Sequence, residues 1–147
     1  KAEVALGNVV RALSAADGPD GRPIVRAAHD LSNGGLVQSL VDSALRFGIG
    51  GVFDVAGAAR RDCVGDHEML LSESQARAFV AVPEAAVKAV FAAAEAEGVD
   101  AVRIGTTGGD MLAISGVDLL AAEGEGCGWI ASIDELRELS ETGRKYF

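Results

Sequence analysis

Apolar positions change period several times along the chain. Between residues 2 and 16, Val4, Ala5, Val9, Ala12 and Leu13 recur at helical spacing and predict an amphipathic helix. "DGPDGRP" stops it with Asp-Gly and proline turn chemistry. Ile24 to Ala28 is a short apolar run suited to a buried strand. A second helix is expected from about Gly34 to Phe47, where Leu36, Leu40 and Ala44 run beside Val37, Val41 and Leu45 as one broad apolar face. "GIGGVFDV" predicts a glycine-rich turn and a strand over 51–55, and residues 56–68 a loop or a broken helix. "MLLSES" is a polar break, and "ARAFVAV", residues 76–82, a strand. Pro83 suits the first turn of a helix that runs to about Glu97, with Gly98 where a C-terminal cap belongs. Val99 to Ile104 and Met111 to Ser115 are expected to pair as a hairpin across "GTTGGD". "AAEGEGCGW" is expected as loop, and Ser132 with Glu135 matches a capping box that opens a last helix.

Crossovers mixed with a hairpin favour an α+β fold, a mixed sheet packed with helices, over a regular doubly wound parallel sheet. The length, 147 residues, fits one domain over 1–147. Hydrophobic residues make up 49% against 5% aromatic, so the core must be aliphatic, with small residues at close approaches. The chain opens on Lys1 and runs straight into helix-like sequence, so it reads as a fragment of something longer.

Net charge is −9. That argues against nucleic acid, which needs clustered Lys and Arg, and against an anionic membrane surface. It leaves phosphate binding open, because backbone amides bind phosphate in acidic proteins too. No apolar run approaches the ~20 residues of a membrane span. Cys63 and Cys127 form no metal-type pair and read as reduced thiols of a cytoplasmic protein.

"AAHDLSNGGL", residues 27–36, and "SESQAR", residues 72–77, are the candidate chemistry. His29 beside Asp30 could be a base and its orienter, yet strand neighbours point to opposite faces, so adjacency alone makes no pair. Ser32 or Asn33 could cap the next helix, and Gly34 and Gly35 would let it start close to another backbone. Alternatively, free amides over Ser32, Asn33, Gly34 and Gly35 could face a phosphate. Ser72, Glu73, Ser74 and Gln75 with Arg77 could bind a sugar hydroxyl, an amide or a metal, or form a polar bulge in water. "GTTGGD" reads as a tight turn before it reads as a phosphate loop. Cys63, Asp66, His67 and Glu68 offer ligand types, but no second group stands at matching spacing; a solvated loop is the plainer reading and no metal site is assigned. No nucleophile sits in a recognisable catalytic setting.

Together, "AHDLSNGGL" and "LLSESQARAFVAVP" resemble the final domain of the phosphoribosylformylglycinamidine synthases of purine biosynthesis. That domain carries similar "HD-[VL]-S-x-GGL" and "FSES-x-x-R" stretches. The match runs from the opening helix to the "IGTT" strand; "RELSETGRKYF" at the end departs from the pattern. The resemblance implies a fold like the C-terminal domain of aminoimidazole ribonucleotide synthetase, within a larger multidomain enzyme. It implies an ATP- and Mg²⁺-dependent ligase that uses glutamine-derived ammonia, supplied by a glutaminase partner, to turn formylglycinamide ribonucleotide into the amidine. In the family's first C-terminal module a Glu-Ser-Gln stretch contributes to substrate binding, and Glu73-Ser74-Gln75 spells the same residues. His29-Asp30-Leu31-Ser32, however, resembles the second module. The family's catalytic histidine lies in the N-terminal modules, so His29 does not inherit that role, and no catalytic residue is expected here. The expected role is architectural and includes closing an auxiliary nucleotide or phosphate pocket, with Ser32, Asn33, Gly34 and Gly35 as its candidate residues. The alternatives are a non-catalytic interaction scaffold and the same domain of aminoimidazole ribonucleotide synthetase.

Overall fold

A computed structural model describes residues 1–18, 20–116 and 128–144. Its contacts fall into two groups, residues 1–32 with 74–102 and residues 33–73 with 103 onward. The chain therefore passes from one to the other at 32–33, 73–74 and 102–103.

In the first group, α1 (Ala2–Ser14) packs on α5 (Val87–Ala96). Val9 and Leu13, one turn apart on α1, share a core with Ile24 and Ala86, and Val82, Val90, Ala93 and Val99 close around them. The "DGPDGRP" turn folds on itself: Gly18 N–H donates to Arg22 O at 2.6 Å and Ile24 N–H to Ala16 O at 2.9 Å. Ile24 is thereby drawn into the core, so the strand expected over 24–28 starts later. β1 spans Ala27–Asp30 and pairs antiparallel with β3 (Ala78–Ala81), placing His29 opposite Phe79. A single 3-10 turn, Glu84–Ala86, follows Pro83 and leads into α5. That helix ends in a Schellman motif: Gly98, at φ +65°, donates to Glu95 O and Val99 N–H to Ala94 O. The expected cap at Gly98 is correct.

The second group holds α2 (Gly35–Phe47), β2 (Gly51–Asp54), α3 (Ala56–Asp62), α4 (Asp66–Leu71), β4 (Gly105–Thr107), β5 (Met111–Ser115), β6 (Gly128–Ser132) and α6 (Ile133–Arg144). Its sheet has the order β4-β2-β5-β6, with β2 parallel to β5 and the other pairs antiparallel. Strand alternation buries Phe53, Leu112, Ile114 and Ala131 on one face and turns Val52 and Ile130 outward. Helix α2 packs against α4 and α6, with Leu36, Leu40 and Ala44 buried. The Ser132–Glu135 capping box forms in both directions: Glu135 N–H donates to Ser132 Oγ at 3.1 Å, and Ser132 N–H to the Glu135 carboxylate at 2.8 Å.

The mixed α+β class holds, one open local expectation is decided, and two others fail. Residues 56–68 form two short helices, the broken-helix alternative, and α4 continues to Leu71. The hairpin between 99–104 and 111–115 does not exist. Only Ile104 reaches a ladder, accepting from Asp54 N–H at 2.7 Å, and the strand proper is 105–107. Strand β2 lies between β4 and β5, and the "GTTGGD" turn bonds back to it through Gly108 N–H to Gly50 O and Gly50 N–H to Gly109 O. A Cβ on Gly50 would stand 2.0 Å from Met111 O, so only glycine allows β2 into that slot. Finally, β6 runs through Gly128 and Trp129, the end of a stretch expected as loop, because pairing with β5 outweighs its glycine content. Cys127 lies outside the described residues. Among the described residues, no helix is long and apolar enough to cross a membrane.

This sheet polarity is testable. Leu112, 1% exposed, should cost about 2–5 kcal/mol when changed to Ala. Ile130→Ala, at a position 63% exposed, should cost under about 1 kcal/mol. Urea unfolding of the two variants measures both.

Candidate functional site

The "SNGG" junction takes its shape from two glycines in left-handed backbone, Gly34 at φ +76° and Gly35 at φ +70°. The second brings the start of α2 onto the end of α4. A Cβ on Gly35 would stand 2.6 Å from Leu70 O and from the Leu71 carbonyl carbon. Ser39, fully buried, reinforces this turn by donating its hydroxyl to Gly35 O at 2.8 Å.

The expected cap at Ser32 or Asn33 is not the one found. Gly34 is the residue before the helix and has no side chain to offer. Its N–H instead donates to Glu73 Oε1 at 2.8 Å, across 39 residues of sequence. The first turn of α2 contains no acidic residue, so this distant carboxylate supplies the negative charge that a helix N-terminus favours. Ser72 closes α4 by donating its N–H to Glu68 O at 3.1 Å, and the chain then extends through Glu73.

Ser32 bonds back to the strand that precedes it. Its hydroxyl bonds the Asp30 carboxylate and is the main reason that carboxyl lies below its ordinary pKa. Desolvation opposes the shift, and the backbone and the charge of His29 add to it. His29 Nδ1 donates to Asp30 O at 2.6 Å and lies 3.4 Å from Asp30 Oδ1. The two side chains are therefore neighbours, although alternation along the strand separates them in principle. The imidazole stacks on Phe79, centroids 5.9 Å apart and planes at 17°. Leu31 N–H donates to Arg77 O at 3.2 Å and prolongs the β1–β3 ladder.

The two quoted stretches are thus joined twice, by the β1–β3 ladder with its Leu31–Arg77 bond and by the Glu73–Gly34 bond. Glu73, Ser74 and Gln75 are all exposed. Ala76, next to them, adopts φ +60°, a conformation that costs a non-glycine residue roughly 1–2 kcal/mol. Sequence reasoning missed Phe79 and the Leu70–Leu71 backbone as partners of the first stretch, since both contacts depend on tertiary register. The Glu73 partnership had one faint signal, a first helical turn without a carboxylate of its own. At residues 63–68, Cys63 ends α3 in left-handed backbone and Glu68 accepts from Gly65 N–H at 3.4 Å. Among the described residues, no three His, Cys, Asp or Glu side chains gather as a metal site.

A mixed sheet with helices, a strand-to-helix glycine junction and a polar stretch that returns to cap it define an α+β module. The family described as AIR synthase related protein, C-terminal domain, matches residues 1–115, and the chain belongs to it. It is 41% identical over 125 residues to phosphoribosylformylglycinamidine synthase subunit PurL of Renibacterium salmoninarum, covering 84% of this chain and 15% of that protein. For the subunit from Nocardioides sp. the identity is 44% over 93 residues, covering 63% and 12%. A solved structure of T. maritima PurL complexed with ATP aligns with a TM-score of 0.58 at 17% identity, covering 77% of this chain and 19% of that one, and shares the fold. The chain thus spans about one seventh of the length of these curated relatives.

Two variants test the junction. Gly35→Ala meets backbone in a left-handed position and should lose roughly 2–4 kcal/mol in urea unfolding. Glu73→Ala removes the cap and should lose about 1 kcal/mol, with Glu73→Gln, which keeps an acceptor, losing less.

The Ser32–Asp30 bond predicts a pH effect of defined sign. A carboxyl depressed in the folded state contributes stability above its unfolded pKa, about 4, and loses it as pH falls through the lower folded value. Ser32→Ala should move the Asp30 titration, followed by NMR, up toward its ordinary value; an unmoved titration contradicts the assignment.

Proposed function

We propose that this chain is a C-terminal module of an ATP-dependent phosphoribosylformylglycinamidine synthase, a cytoplasmic C–N ligase, and that its own part is architectural. The full enzyme would activate the carbonyl oxygen of formylglycinamide ribonucleotide by phosphoryl transfer from ATP with Mg²⁺. Ammonia from a glutaminase partner would then displace the phosphate. The 41% identity to a synthase subunit favours this reading over aminoimidazole ribonucleotide synthetase.

One observation carries the architectural role: His29, Ser32 and Glu73 of the two motifs each make a bond within the chain. His29 Nδ1 is on Asp30 O, the Ser32 hydroxyl on the Asp30 carboxylate, and the Glu73 carboxylate on the Gly34 amide. Within the Glu73-Ser74-Gln75 triplet, Glu73 already bonds the Gly34 amide. A phosphate at residues 32–35 would have to compete with Glu73, an anion of the chain's own. Other domains of the same longer chain are the natural partners of such a module.

The purified chain, given formylglycinamide ribonucleotide, ammonia, ATP and Mg²⁺, should release no ADP above the blank; substrate-dependent turnover would overturn the proposal. The occupied start of α2 also favours a scaffold without a nucleotide pocket. Calorimetric titration with ADP and Mg²⁺ should then give no saturable heat, whereas saturable heat would support the auxiliary pocket.

A further inference from the structure

We draw no further inference here: the strongest candidate, the outward-facing row of Val52, Ala113 and Ile130 with Met111 beside it on the four-stranded sheet, carries nothing because nothing in the structure shows what covers it.

Discussion

The close approach of α2 to α4 at Gly35 is the constraint on which the junction depends. No side chain fits between Gly35 and the Leu70–Leu71 backbone. Because the two backbones touch, the chain leaving α4 passes near the start of α2, and Glu73 reaches the amide of Gly34. The carboxylate then satisfies a donor that helix geometry leaves without a partner, and it meets the positive end of the helix dipole. The buried Ser39 hydroxyl on Gly35 O ties the same turn from inside the helix. Shape, hydrogen bonding and charge agree at one point, which is how a local feature becomes specific.

The sheet obeys a similar rule. β2 enters between two segments that are near neighbours in sequence, and it can do so because Gly50 leaves room against Met111 O. Its parallel pairing with β5 spans a long stretch of chain, so this ladder is bought with loop-closure entropy. Burial of Phe53, Leu112 and Ile114 on one face offsets that cost and fixes the register, since a slip of one residue would expose all three.

These features change the meaning of the two motifs. A histidine, an aspartate, a serine and a glutamate close together suggest chemistry when read as types. In the fold each acts on backbone or on a neighbour: His29 on Asp30 O, Ser32 on Asp30, Glu73 on Gly34. In this chain the two stretches serve the hand-over from a strand to a helix.

By itself, the sequence determined what depends on near neighbours. The periodicity of α1, α2 and α5, the Schellman ending at Gly98 and the capping box at Ser132 and Glu135 follow from contacts a few residues apart, and the strands at 51–54 and 111–115 were marked by their local apolar pattern. The mixed α+β class was legible from their order, and the candidate residues of both motifs were legible as types. Tertiary structure decided which strands pair, that 128–132 is a strand, where β1 begins, and that Glu73 rather than Ser32 caps α2. Those outcomes join residues tens of positions apart. Local propensity is nearly silent about them, because their free energy comes from burial and pairing that exist only once the distant partner has arrived.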